Sequence, residues 1–512
     1  MKPQFEAKAR TVFEGTGVKI RCSQNPKENG ARHLGGALGT QEFAEEYVRT
    51  KVEKLCDELS VLADFAKHEP QAAHAVFTHA FLSKLNYLQR VIPVQGSAYQ
   101  PLETLIRNSL LPQTTGQGHL SDLEREIFTL PARDGGLGIP DPTQTAQKNF
   151  QNSREITSAL TRKIIAQQTE ISTSEIENWQ EQKREIIRTK RREQQERKKE
   201  ILDKIRPPTP VPSAPGEGRR KEKPPKPPDP PALRMIEMAS QKGASAWLTT
   251  IPLKEYGWAV SKAEWHDAMS MRYGWRPAHL PSTCACGKRN DLQHPLDCPL
   301  GGFQIFRHNT LRDTFSEFFK KAGYKDVRTE HQLAPMPPEM QRRTRGGVVR
   351  STDGDEARLD ISAVGVWGAM QRAFFDVRVT NPLAPSYAQR NLDQHLKNEE
   401  QSKKNDYNRR VLEVERGTFT PLVFSISGGC GKEADTLLKR LTEKLSAATK
   451  SSPSGVMNFL RTTISFALLR LNHVCLRGER KKKKEATTSP ELADVDFEIA
   501  SAESGTRREV SE

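Results

Sequence analysis

Hydrophobic positions follow a helical period in the first part of the chain and a strand period in the second. Phe43, Tyr47, Val48, Val52, Leu55, Cys56, Leu59 and Leu62 recur every three or four residues, the apolar stripe of an amphipathic helix. A second helical run follows Pro70 and ends before Pro93, and Gly135-Gly136-Leu137-Gly138, prolonged by Pro140 and Pro142, predicts a turn. Residues 1–150 therefore read as an all-α domain. Residues 151–206 become densely charged with few apolar positions, which predicts a solvated helix laced with ion pairs one turn apart. Its cluster Arg188-Thr189-Lys190-Arg191-Arg192 would suit phosphate contacts. Eleven of the 25 residues from Pro207 to Pro231 are proline, so 207–233 is expected to be a stiff, extended linker.

Beyond the linker, 234–306 reads as a helical segment and 307–478 as an α/β domain. Arg307–Ala322 carries Leu311, Phe315, Phe318 and Phe319 at helical spacing. Val327–Leu333, Arg358–Val364 and Ala373–Val379 read as strands, Tyr387–Glu415 as a long polar helix, and Thr418–Ser427 as a buried strand whose Pro421 places its start near an edge. The most apolar stretch, Met457–Leu476, is interrupted by Arg461 and Arg470 and suits a buried helix, not a membrane span. Residues 479–512 open on Arg480-Lys481-Lys482-Lys483-Lys484 and continue as a polar tail expected to be disordered.

Composition sharpens this multidomain picture. A chain of 512 residues exceeds what one core usually supports, and its 35% hydrophobic content leaves room for linker and tail. The net charge of +15 points to a polyanion, DNA and possibly RNA, although a merely basic soluble protein would also carry it. The N-terminus lacks the apolar run of a signal peptide, and the basic run at 480–484 suits either nuclear import or a plain solvated tail. An intracellular, nuclear location is expected.

Three of the seven cysteines crowd into Cys284-x-Cys286-x7-His294-x3-Cys298, which reads as metal ligation in a reducing compartment. Zinc takes four nitrogen or sulfur ligands tetrahedrally, and Gly287 lets the chain turn sharply around an ion. Four protein ligands leave no open position, so this zinc would be structural. The plain alternative is three buried thiols and a surface histidine.

Downstream, Asp360 and Asp376 each interrupt a hydrophobic strand. A carboxylate in a buried strand is costly unless it is paired or metal-bound. If the two strands form a hairpin, both carboxylates can share a hard cation such as Mg2+, with Glu330 completing the oxygen shell. Arg378, two residues after Asp376, projects on the same face. The alternative is an Asp376–Arg378 structural ion pair, with Asp360 capping a turn.

Taken together, 284–427 resembles the restriction-like endonuclease region of non-long-terminal-repeat retrotransposons. That region joins a CCHC zinc knuckle to an Arg-His-Asn/Asp motif and a PD-(D/E)XK-type nuclease of αβββαβ order. Here Arg307-His308-Asn309 follows Cys298 by nine residues, and Asp360-x15-Asp376 stands where the family carries its metal-binding aspartates. Leu359 occupies the place of the family's proline and Arg378 that of its lysine. The resemblance implies a lysine supplied by the following helix instead, from Lys397, Lys403 or Lys404, of which Lys403 is taken as the site residue. It also implies nucleic-acid contacts by Arg307, His308 and Asn309. The segments His33–Gly39 and Leu130–Ile139 are similar to the palm end and thumb of a reverse transcriptase, although the catalytic Tyr/Phe-x-Asp-Asp is absent. The expected function is that of a Mg2+-dependent DNA endonuclease from the C-terminal part of a retroelement polyprotein, without polymerase activity. The alternatives are a non-catalytic nucleic-acid-binding protein and an inactive remnant.

Overall fold

Thr40 ends a short hairpin and opens the long helix α1 (Gln41–Ala66), its hydroxyl accepting from Phe43 N. The computed structural model describes residues 5–17, 23–168, 170, 172–206, 230–387 and 390–480. The Pro-rich stretch up to residue 229, Lys481–Lys484 and the acidic tail lie outside them. The chain divides into two units, Met1–Pro131 with Gly136–Lys204, and Ala132–Gly135 with Ile205–Glu512. The charged segment after residue 150 thus belongs to the first unit.

In that unit the α1 stripe turns Val48, Val52, Leu55, Leu59 and Leu62 into the core, while Phe43, Tyr47 and Cys56 sit at its margin. Helix runs from Pro70 to Val91, with one wider turn at Phe77–Phe81. The unit is mostly helical but not all-α. Strands β1 (Gly30–His33) and β2 (Gly36–Gly39) pair antiparallel around Leu34-Gly35, both at positive φ. The glycines and the two-residue turn are a hairpin signal that the helical pattern around them masks.

Two charged helices, α2 (Pro142–Ile165) and α3 (Thr173–Ile205), close the unit. Ile201 is the buried residue of α3, and its surface carries ion pairs such as Arg188–Glu185 and Lys163–Glu175. Within α3, Arg184–Glu181 and Arg188–Glu185 pair three residues apart and Arg188–Glu181 seven apart. Being exposed, they contribute little each. The buried pair is different in kind. Arg125 donates twice to Glu103, both at 2.7 Å, and its Nη1 donates to Ile139 O at 2.8 Å, pinning the Gly-rich turn. Glu103→Ala would leave a buried guanidinium uncompensated. A loss of about 3–5 kcal/mol is expected in denaturant unfolding, and a loss below 1 would contradict the assignment.

The second unit is built on a four-stranded sheet of order β3 (Lys325–Gln332), β4 (Arg358–Val364), β5 (Arg372–Thr380), β6 (Thr418–Ser425). The first three strands pair antiparallel, and β5 pairs parallel with β6. A parallel partner cannot be reached by a tight turn. The crossover is α6 (Leu392–Glu413), counting α4 (Lys262–Tyr273) and α5 (Phe303–Lys321) before it. Pro421 is tolerated because β6 is the terminal strand.

Strand alternation divides the sheet's two faces. Ile361, Ala363, Phe375, Val377, Leu422 and Phe424 join Phe315, Phe318 and Phe319 of α5 in one core. Helices α7 (Lys432–Thr449) and α8 (Pro453–Arg477) cover that core. The apolar stretch from Met457 is therefore a buried helix of the domain. Among the described residues, no helix is long and apolar enough to cross a membrane.

Candidate active site and metal centre

Strands β4 and β5 pair from Val364↔Arg372 to Ile361↔Phe375. Continuing that register by one residue sets Asp360 opposite Asp376. There the ladder stops, and Asp360 Oδ2 accepts Val377 N at 2.6 Å where a strand carbonyl would otherwise stand. Oδ1 meets His308 Nε2 at 2.9 Å. Asp360 is 8% exposed and Asp376 5%. The first carboxylate is well satisfied, whereas the second is not.

Asp376 is reached from α6. Along that helix His395 Nε2 lies 2.8 Å from Thr380 Oγ1, Glu399 accepts Arg378 Nε at 2.5 Å, and Lys403 Nζ lies 2.8 Å from Asp376 Oδ2. Each step of four helix residues answers two strand residues in the opposite direction. Four residues of helix rise about 6 Å and two of strand about 6.6 Å, so the two elements stay in step over three contacts. This geometry selects Lys403. Lys397 is exposed, and Lys404 turns to Glu433 at 2.5 Å.

The Lys403–Asp376 contact is an ion pair out of line for a hydrogen bond, and buried Asp376 Oδ2 has no hydrogen-bond partner. Burial pushes its carboxyl up to about 6, Lys403 opposes that shift, and the Asp360 charge adds to it. Burial also works against the His308 imidazolium, but the Asp360 carboxylate, with Asp376 behind it, outweighs this and raises His308 above its ordinary value. Two buried carboxylates thus share an edge with one lysine ammonium and one histidine whose protonated form they favour.

Glu330 does not join them. The β3–β4 register places it across from Asp360, between Thr329↔Ile361 and His331↔Leu359, but it adopts φ +50° and its carboxylate pairs with Arg312 of α5. A left-handed residue breaks strand alternation, so the pattern of the strand misplaces its side chain. Arg378 shares the Asp376 face, as its spacing predicts, but pairs with Glu399 and not with Asp376. Asn309 Oδ1 accepts Arg312 Nη1 at 3.4 Å.

The second centre lies upstream. Ligand atoms of Cys284, Cys286, His294 and Cys298 all fall within 4.8 Å of one another, a set that could hold a metal ion such as zinc. Cys284 N donates to Lys288 O at 2.9 Å and Gly287 N to Cys284 O at 2.8 Å, a tight turn that needs Gly287 at φ +85°. Cys284 and Cys298 are buried, with their sulfurs 3.7 Å apart. A tetrahedron with bonds of about 2.3 Å has an edge of about 3.8 Å, so this pair is already spaced for one ion. His294 presents Nε2, 3.1 Å from Cys286 Sγ.

The Arg307-His308 dipeptide connects the two centres. Arg307, 3% exposed, donates to Leu296 O at 3.2 Å inside the cysteine module and to Asn472 Oδ1 of α8 at 3.4 Å. It is a strut, not an exposed nucleic-acid contact. Its neighbour His308 holds Asp360. Asp297 accepts Asn381 Nδ2 at 2.5 Å just beyond β5, a second tie between module and sheet. A groove of about 620 Å3 runs between them, lined by Lys288 and His294 on one side and by His308, Arg378 and Lys403 on the other.

No known protein family matches the chain, and no curated protein matches it. Sequence reasoning placed His308 among nucleic-acid contacts and missed its bond to Asp360. It also missed Glu399, although the paired spacings Glu399/Lys403 and Asp376/Arg378 would have suggested two rungs between one helix and one strand.

Proposed function

We propose that the second unit is a metal-dependent phosphodiesterase acting on DNA, and that the chain derives from a retroelement polyprotein and works in the nucleus. The observation that carries the reading is the opposition of Asp360 and Asp376 on adjacent strands, with Lys403 set on Asp376. Hard divalent cations take carboxylate oxygens, and Asp376 Oδ2, ion-paired with Lys403 but without a hydrogen-bond donor and beside a second buried carboxylate, fits that demand. Asp360 and Asp376 would hold Mg2+. When bound, it activates water for attack on phosphorus and offsets charge on the leaving oxygen. Lys403 contributes a fixed ammonium whose charge is available to a phosphoryl oxygen brought to the site. Arg378 cannot act as a base, but half-exposed and held by Glu399 it can steady a neighbouring phosphate. His308 orients Asp360 through Oδ1. The cysteine module, as a closed structural zinc site, stiffens one wall of the groove.

Nicking of supercoiled plasmid tests this reading. Wild type should nick with Mg2+ or Mn2+ and not with EDTA. Lys403→Met should lower kcat by about 10²–10³-fold with little change in KM. Absence of cleavage with either metal would refute it.

A further inference from the structure

Between β3 and β4 the chain runs through Arg342-Arg343-Thr344-Arg345-Gly346-Gly347-Val348-Val349-Arg350, with no acidic residue from Met340 to Thr352. The segment folds back on itself: Thr344 N donates to Val348 O at 2.8 Å and Arg350 N to Arg342 O at 2.9 Å, with Gly347 at φ +77° in the turn. Arg343, Arg345 and Arg350 are exposed, and among the described residues none forms an ion pair with a carboxylate. Arg343 donates to Gly347 O within the turn at 2.9 Å.

The base of this hairpin is held as firmly as its tip is free. Arg342 donates three times to Asp353, at 2.7–2.8 Å, and Asp353 is 0% exposed. The same guanidinium donates to Asn405 O and Asp406 O of α6, each at 2.5 Å. Arg410, also of α6, donates to Thr352 O at 2.8 Å and Gly354 O at 3.0 Å. Asn405 and Asp406 stand two and three residues beyond Lys403, within one helical turn of it.

We propose that the 342–350 hairpin is a phosphate-gripping ribbon that binds the backbone of duplex nucleic acid beside the Asp360/Asp376 site. The proposal rests on the nuclease reading for its duplex partner, since a site that cleaves a phosphodiester needs the flanking strand held. Guanidinium groups pair with phosphate in a bidentate, planar fashion. A two-stranded ribbon is narrow enough to enter a major groove. Gly346-Gly347 at the tip keep side chains out of the way of a close approach. Anchorage on α6 would hold the grip at a constant distance from Lys403.

The test is binding, measured apart from cleavage. Fluorescence anisotropy of the full chain on a labelled random-sequence duplex, in EDTA, is compared between wild type and the triple variant Arg343→Ala/Arg345→Ala/Arg350→Ala. The variant should bind at least about tenfold more weakly near physiological salt, and its log–log salt slope should be shallower by about 2–3, close to 0.9 for each phosphate that is no longer neutralised. The triple Arg→Lys variant should keep most of the slope. Unchanged affinity and slope in the alanine variant would overturn the proposal, as would binding of phosphatidylserine vesicles through these arginines without duplex binding. If wild type never cleaves while the alanine variant still loses affinity, the nuclease reading fails and the hairpin assignment stands. Where cleavage is seen, the alanine variant should raise KM and leave kcat in place.

Discussion

Asp376→Asn is expected to abolish Mg2+-dependent nicking, lowering kcat by about 10³-fold or more, which is about 4 kcal/mol of lost transition-state stabilisation. The amide keeps the shape of the side chain, so the β5–β6 ladder and the packing of Phe375 and Val377 are undisturbed. It removes the negative charge that sets Lys403 at 2.8 Å and the oxygen chemistry that a hard cation requires. Stability should change little, because the wild-type carboxylate is itself costly: buried, facing Asp360, and pushed up to about 6. The measurements are single-turnover nicking and thermal unfolding on the same preparation. Persistent cleavage by a folded variant would place the chemistry elsewhere. A cleavage loss accompanied by collapse of the fold would be answered with Asp360→Asn, whose single amide oxygen can still accept from Val377 N while its amide nitrogen faces His308 Nε2 and can donate to the neutral imidazole.

The second large effect is expected from the cysteine module. Wild type should carry one zinc per chain, and Cys298→Ser or strong chelation should remove it. Structural zinc contributes on the order of 10–16 kcal/mol of apparent binding free energy in small modules, and much of this is folding free energy. Residues 284–298 have little core of their own, Leu296 and Cys298 being their most buried side chains. Proteolysis at Lys288 and Arg289 should therefore appear on metal loss while the sheet resists. The consequence should travel further. Arg307 is tied to Leu296 O and His308 to Asp360, so loosening the module removes one anchor of the helix that orients a site carboxylate. On the proposed function, DNA affinity should fall more than kcat, since Asp360 and Asp376 stay in the sheet. Metal content by mass spectrometry and the proteolysis pattern check the first part. An unaltered protease map without zinc would show that the four side chains are not a metal-dependent fold.

Some elements were legible because one local rule settled them. The α1 stripe, the alternation in Arg358–Val364 and the apolar β5 and β6 runs are periodicities of a single element, and the structure keeps them within one or two residues. The cysteine cluster was legible for a similar reason, since four ligands within 15 residues can meet without help from the rest of the chain. The β1–β2 hairpin was not seen, because its four-residue strands are too short to show a period.

The Asp360/Asp376 edge depended on relations between elements, and there the pattern reached only part of the answer. Spacing put Asp376 and Arg378 on one face, but it could not show that α6 lies over that face in step with β5. That packing alone separates Lys403 from Lys397 and Lys404. Strand alternation aimed Glu330 at the site, and a single left-handed residue turned it to Arg312. The resemblance implied a nucleic-acid contact at Arg307, and the structure buries that side chain as a strut between Leu296 and Asn472. By itself, then, the sequence determined the long helices, the sheet strands of the second unit and the residue types that gather in its two clusters, because these follow from residue chemistry and short-range period. Only the tertiary structure decided which lysine, which histidine and which arginines lie against them, because side-chain partners between elements are set by register and packing, which no local period encodes.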